Sequence, residues 1–339
     1  MTASEYEDRP GALEEKVELL VELLGVSRRT VLYTGAGIST AAGIGQAARS
    51  SRKISGGRKK EARPTVAHRA LAALKERGIL QTATWIQQNH DGLPQKAGWP
   101  QEDIVEIHGS WFDPSNPVVK YDGDLRDDLY HRMTRAEEEA DLVIVVGTSL
   151  SGLNSDRVAE SCARRSLEGT SLGTVIINLQ QTRCDLTASL RIFSPADAVL
   201  EAVLTRLATP LPALHALPSR PEDVGTVPYD KRGRRERSGG RLIVLDLRPG
   251  QEVRLNPAHN CQGARQPNFS HIGAERRGGG RQPGPGRGRV VSFSHSKAAW
   301  ELRIEGVTMT LGGWWLQAAV RGNLETIPVI NINPSYTDI

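Results

Sequence analysis

Several short stretches of this 339-residue chain combine residue types that do chemistry. Gly35-Ala36-Gly37-Ile38-Ser39 follows an apolar run; its glycines let the backbone approach a pyrophosphate, and amides at a helix start favour negative charge. A short glycine turn is equally an ordinary tight connection. It departs from the dehydrogenase fingerprint, and no acidic residue closes a second strand near it, which disfavours hydride transfer. Gln88-Asn89-His90-Asp91-Gly92-Leu93 brings amide and carboxylate side chains together. Glu106-Ile107-His108-Gly109 holds a histidine that follows this amide-rich loop and precedes a glycine that frees the backbone. Gly147-Thr148-Ser149-Leu150 supplies hydroxyls, and Ile177-Asn178-Leu179-Gln180 another amide.

All of these stretches but Glu106–Gly109 stand at the end of a predicted strand. Thr30–Thr34 is β-branched and runs straight into the glycines, and Gln81–Gln87, Leu142–Val146 and Val175–Leu179 read as further buried strands. Leu13, Val17, Leu20, Val21 and Leu24 recur at helical spacing, and His68–Arg77 reads as a second helix. Strands alternating with helices predict an α/β, Rossmann-like, doubly wound parallel sheet, whose ligands bind at the C-terminal strand edges where four of these clusters fall.

Taken in order, Gly35-Ala36-Gly37-Ile38-Ser39, Pro64-Thr65-x-x-His68, Gln88-Asn89-x-Asp91-Gly92-Leu93, Ile107-His108-Gly109, Gly147-Thr148-Ser149-Leu150 and Asn178-Leu179 resemble the sirtuins, the NAD-dependent protein deacylases, over roughly residues 12–208. Thr182-x-x-Asp185-x-x-Ala188-x-Leu190-Arg191-Ile192 also looks like the end of that domain. The resemblance implies NAD as cofactor and an acylated-lysine protein, such as a histone, as substrate. It implies that Gly35, Ala36, Gly37 and Ser39 hold the pyrophosphate and that Gln88, Asn89 and Asp91 form the nicotinamide and ribose pocket. Gly147, Thr148, Ser149, Asn178 and Leu179 would serve phosphate and adenosine ribose. His108 would be the general base on the nicotinamide-ribose hydroxyls, with Asn89 and Asp91 beside it as catalytic residues. In the family reaction the acyl oxygen attacks the ribose carbon as nicotinamide leaves, and the acyl group ends on ADP-ribose. The residue chemistry agrees: a carboxamide needs the paired donor and acceptor of Asn89 and Asp91, and histidine exchanges protons near neutrality.

Departures from the family pattern carry their own expectations. Sirtuins normally hold a structural zinc on two Cys-x-x-Cys pairs between the histidine and the Gly-Thr-Ser strand, but Gly109–Ala140 has no cysteine, so no metal is expected and the zinc lobe is shortened or lost, with a turn at Asp113–Pro117 instead. After Gly43-Ile44 the family has Pro-Asp-Phe-Arg, where this chain reads Gly45-Gln46-Ala47-Ala48-Arg49. Losing that aromatic lid admits water or slows the chemistry, which keeps NAD hydrolysis, mono-ADP-ribosyl transfer and plain NAD binding open beside deacylation. Val119-Lys120-Tyr121-Asp122-Gly123 stands where the family has Val-x-Phe-Gly-Glu, and Pro94 replaces a histidine.

The two parts of the chain differ in charge. Residues 1–210 carry 25 basic and 28 acidic side chains, whereas residues 211–339 carry 18 and 11, and the stretch 231–289 alone has 14 and 4. The reading is a sirtuin-like domain over 9–208, a Pro-rich basic linker over 209–240 and a small β-rich domain over 241–339 with a Gly/Arg-rich loop at 256–289. Basic charge with Trp300, Trp314 and Trp315 permits nucleic-acid contact, while the same tryptophans equally fill a core. Three scattered cysteines fit a reducing, intracellular setting; Lys231–Arg237 could address the nucleus, which leaves nuclear and cytoplasmic locations open. No apolar run is long enough for a membrane helix, so no membrane partner is expected.

Overall fold

Thr30-Val31-Leu32-Tyr33-Thr34 is buried at every position, as a strand covered on both faces must be. The computed structural model describes residues 4–45, 59–119, 123–213, 219–237, 242–256 and 286–337. Gln46–Arg49, Lys120–Asp122, parts of the expected linker and most of the Gly/Arg-rich loop lie outside the described residues. The chain forms two units, residues 1–108 with 129–218 and residues 109–128 with 219–339.

The first unit is the expected doubly wound sheet. Its strands are β1 (Thr30–Thr34), β2 (Thr84–Gln87), β3 (Ile104–Glu106), β4 (Leu142–Val146), β5 (Gly173–Ile177) and β6 (Leu190–Ile192). They lie in the order β3-β2-β1-β4-β5-β6, and all neighbours pair parallel. The chain winds outward from β1 through β2 to β3, then returns to place β4 on the other side of β1. That reversal opens a crevice at the C-terminal ends of β1 and β4, the usual ligand position in such sheets. Helices α1 (Pro10–Val26), α2 (Val66–Glu76), α3 (Leu93–Lys96), α4 (Asp127–Glu139), α5 (Arg157–Leu167) and α6 (Ala196–Arg206) accompany the strands. β2 starts at Thr84, later than its apolar pattern suggests, because residues 78–83 make tight turns in which Leu80 N reaches Leu74 O and Ala83 N reaches Leu80 O.

α2 begins with a reciprocal cap. Thr65 Oγ1 sits 2.8 Å from His68 Nδ1, and the Thr65 side chain also accepts the His68 amide. His68 is fully buried, stacks on Trp85 at 6.0 Å, and its Nε2 has no hydrogen-bond partner among the described residues. Burial lowers its pKa from 6.5 to about 4 against the opposing pull of Asp91 and Asp197. The Pro-Thr-x-x-His stretch is therefore a helix start held by a neutral imidazole.

In the second unit, β7 (Val224–Val227), β8 (Leu242–Asp246) and β14 (Ser335–Thr337) form one antiparallel sheet. β9 (Glu252–Leu255), β10 (Arg287–Ser294), β11 (Ala299–Ile304), β12 (Val307–Gly312) and β13 (Val329–Asn331) form another, with helix α7 (Trp314–Arg321) after β12. The stretch read as a linker thus contributes β7, and Arg287–Arg289, at the end of the expected loop, begin β10. Trp300, Trp314 and Trp315 are buried in this unit's core, which is their packing role. Gly109–Asp128 joins the same core: Phe112 is fully buried, lies 5.2 Å from Trp314 and accepts the Gly312 amide through its carbonyl at 3.0 Å. The turn at Asp113–Pro117 is present, closed by Asn116 N on Asp113 O and Ser110 N on Asn116 O. Among the described residues no cluster of His, Cys, Asp or Glu is arranged to hold a metal ion, and no helix is long and apolar enough to cross a membrane.

Two outcomes test this packing. Phe112→Ala should destabilise the second unit by about 3–5 kcal/mol, read by denaturant unfolding of the full chain. His68 binds a proton more weakly when folded than when unfolded, so its contribution is intact above pH 6.5 and is lost progressively toward pH 4. It amounts to about 3 kcal/mol, and His68→Gln should flatten that part of the stability–pH curve.

Candidate functional site

The site grows from the contact between two strand ends. Gly37 N donates to Gly147 O at 2.7 Å, and a Cβ built on Gly37 would lie 2.6 Å from Gly147 Cα. Gly147 itself has φ 65°, so the loops after β1 and β4 touch backbone to backbone. Gly35 N likewise donates to Val146 O. The amides of Gly35 and Gly37 are therefore used within the protein, and the glycines serve close loop packing in addition to any ligand.

The crevice beside this contact has a volume of about 610 Å³, within the range of small-ligand sites. Of the sequence-predicted residues it is lined by Ala36, Gly37, Gln88, Gly147, Thr148, Ser149, Asn178 and Leu179. These come from the ends of β1, β2, β4 and β5, which the sheet order brings together. Ile38, Ile177 and Pro195 make part of this wall apolar, and hydroxyl and amide groups of Thr148, Ser149, Gln88 and Asn178 are set among them; Glu5 and Asp197 are its acidic members, suited to sugar hydroxyls. The lining fits a dinucleotide in size and donor chemistry.

Gly35, Ser39, Asn89 and Asp91 are joined by hydrogen bonds next to the crevice. Asn89 Nδ2 donates to Gly35 O and to Ser39 Oγ, each at 3.0 Å, and Ser39 Oγ donates to Asp91 Oδ2 at 2.7 Å. The other Asp91 oxygen accepts the Leu93 amide at 3.0 Å, and both Ser39 and Asp91 are buried. The loop after β2 is thus fixed by its own polar groups. Lys96, buried on α3, donates to the carbonyls of Lys60 and Ala62; burial lowers its pKa to about 8, opposed by the attraction of Asp91.

His108 follows β3 and is half-buried. Its Nε2 lies 3.4 Å from Ser155 Oγ. Burial and His90 lower its pKa below 6.5, while Asp156 and a hydrogen bond to the Gln88 backbone pull the other way. The ring is therefore neutral at neutral pH, as a proton acceptor must be. Gly109 turns the chain away at φ 92°, where a Cβ would meet Pro117 O at 2.3 Å.

Sequence reasoning missed Tyr33, Ser155 and Asp156. Tyr33 Oη donates to Asp156 Oδ1 and neighbours Ser155 Oγ, both at 2.8 Å, while Gln88 Nε2 donates to Tyr33 Oη. Gln88 is fixed from its other end by Thr148 Oγ1, which donates to Oε1 at 3.0 Å. The available signal was a tyrosine inside an apolar strand and the polar run Asn154-Ser155-Asp156 just past Gly147–Leu150.

No family model matches the chain. Among curated proteins it is similar to the NAD-dependent protein deacetylase SRT1 of Oryza sativa subsp. indica, 30% identical over 245 residues that cover 58% of this chain and 49% of that protein. It is similar to the NAD-dependent protein deacetylase sirtuin-7 of Bos taurus, 26% identical over 256 residues, covering 60% of this chain and 63% of the other. Sirt6 of Drosophila melanogaster, named an NAD-dependent protein deacetylase, is 29% identical over 265 residues, covering 62% and 81%. The chain thus spans about half of the Oryza protein's length and less than two thirds of the bovine one's. A solved structure of a Sir2 point mutant with a p53 peptide and NAD has a TM-score of 0.50 at 23% identity, covering 57% of this chain and 98% of that one, a likeness of fold. With the ordered loops gathered at the crevice between β1 and β4 and these relatives beside them, the chain is similar to the sirtuins over about 60% of its length.

Proposed function

We propose that this protein is an NAD-dependent protein-lysine deacylase whose active centre is the β1–β4 crevice. The observation that carries the reading is the Asn89–Ser39–Asp91 cluster, fixed beside a dinucleotide-sized cleft with Gln88 on its wall. NAD, when bound, supplies an electrophilic ribose carbon and nicotinamide as leaving group. Ala36, Gly37, Thr148 and Ser149 would hold its phosphates, with Gly147 shaping the floor. Asn178 and Leu179 would meet the adenosine ribose. Asn89 would face the carboxamide end with Oδ1, since its Nδ2 is spent on Gly35 O and Ser39 Oγ, and Asp91 would hold that geometry through Ser39 without reorganisation. His108 takes a hydroxyl proton at Nε2, a role its neutral ring suits.

The substrate proposed is an acylated lysine of a protein, a histone among the candidates. The absence of an aromatic residue in Gly45–Arg49 favours a second reading, NAD hydrolysis or mono-ADP-ribosyl transfer, because water then has access to the reactive ribose. Nucleic acid is a further candidate partner on charge alone, through the basic stretch 231–289.

Nicotinamide release separates the enzymatic readings. Deacylation requires release that depends on an acetyl-lysine peptide and falls about 10²–10⁴-fold in His108→Ala. Release from NAD alone would assign the hydrolase or ADP-ribosylating reaction instead. Because the pKa of His108 lies below 6.5, peptide-dependent turnover should persist below pH 6.5 before its acid limb appears. For the nucleic-acid reading, binding to duplex DNA should weaken steeply between low and physiological salt; undetectable binding at low salt would remove it.

A further inference from the structure

Tyr33 and Asp156 are both fully buried, and neither has a role in the chemistry described above. Asp156 Oδ2 accepts the amides of Gly152 at 2.8 Å and Leu153 at 2.9 Å, while Oδ1 accepts Tyr33 Oη at 2.8 Å and Gln88 Nε2 at 3.2 Å. These four donors carry no charge of their own. Four converging donors satisfy this buried carboxylate and fix its direction.

Counting protons fixes the direction of the network. A carboxylate only accepts, so the single Tyr33 proton is committed to Asp156. The Tyr33 oxygen then accepts from Gln88 Nε2 and has a lone pair facing Ser155. The one Ser155 proton has two destinations, Tyr33 Oη at 2.8 Å and His108 Nε2 at 3.4 Å. With His108 neutral and no substrate hydroxyl on Nε2, the serine donates to Nε2; a substrate hydroxyl takes that lone pair in its place, and the serine proton turns to Tyr33. With His108 protonated, Nε2–H donates to the serine, whose own proton turns to Tyr33.

We propose that Ser155, Tyr33 and Asp156 form a hydrogen-bond relay that receives the Nε2–H of protonated His108, making Asp156 a positioning residue for that base. This rests on His108 being the base of the proposed reaction. The rotation of one hydroxyl links an imidazolium to a buried carboxylate, and no proton leaves the chain of four residues. Asp156 raises the pKa of His108 while burial and His90 lower it; Tyr33, pushed well above the ordinary tyrosine value by burial and by Asp156, stays protonated and keeps the direction of the relay. Arg183 is the cation that feels Asp156 from outside the cluster.

The test is an NMR titration of the His108 ring in the full chain, its signals identified with His108→Ala, for wild type, Asp156→Asn, Tyr33→Phe and Ser155→Ala, with nicotinamide release measured alongside. The relay requires the His108 midpoint to fall by about 0.5 unit or more in Asp156→Asn and by a smaller but resolved amount in Tyr33→Phe and Ser155→Ala. If Asp156→Asn does not fold, the other two variants decide. An unchanged midpoint in folded Tyr33→Phe and Ser155→Ala overturns the relay, whatever happens to turnover. Shifted midpoints in a wild-type background that releases no nicotinamide would retain the relay and defeat the proposed function.

Discussion

The structure of the site depends on one steric constraint, the backbone contact of Gly37 with Gly147 where β1 and β4 end. A side chain at Gly37 would occupy the same space as the Gly147 backbone. The contact closes the floor of the crevice at the point where strand order reverses. Gln88, Thr148 and Asn178 are carried to the crevice by strands paired in parallel register around β1 and β4. The sheet supplies position, and the loops supply the chemistry.

Around that floor the polar groups are tied to one another before any ligand arrives. Asn89, Ser39 and Asp91 share protons on one side; Thr148, Gln88, Tyr33 and Asp156 do so on the other. Such networks fix side-chain direction in a low-dielectric setting, where a misdirected dipole is expensive. His108 stands at the edge of the second network through Ser155, with its ring held neutral by burial. Gln88 belongs both to the cleft wall and to the network that reaches His108.

Much of this was legible in the sequence because strand ends in a doubly wound sheet announce themselves. Apolar runs such as Leu142–Val146 stop at glycines and hydroxyls, and the order of those stops names the family. Other features have no local signature. Tyr33 reads as one more strand residue, and its role is set by Asp156, 123 positions away. His68 is only one letter of a family motif in sequence, and its buried imidazole caps a helix. Phe112 lies in the cysteine-free stretch after His108, and only long-range packing reveals that this stretch belongs to the core of the second unit. β7 was hidden among prolines because its pairing with β8, rather than its own composition, makes it a strand.

The claim on which the account turns is that the β1–β4 crevice is the NAD site. Calorimetric binding of NAD to the wild-type chain and to Asn178→Ala, a partly exposed crevice residue at the end of β5, tests it without requiring turnover. An NAD site there gives measurable binding by the wild type and a loss of about tenfold in the variant, the size of one hydrogen bond to a ligand. No binding by the wild type, or equal binding by both proteins, would contradict it.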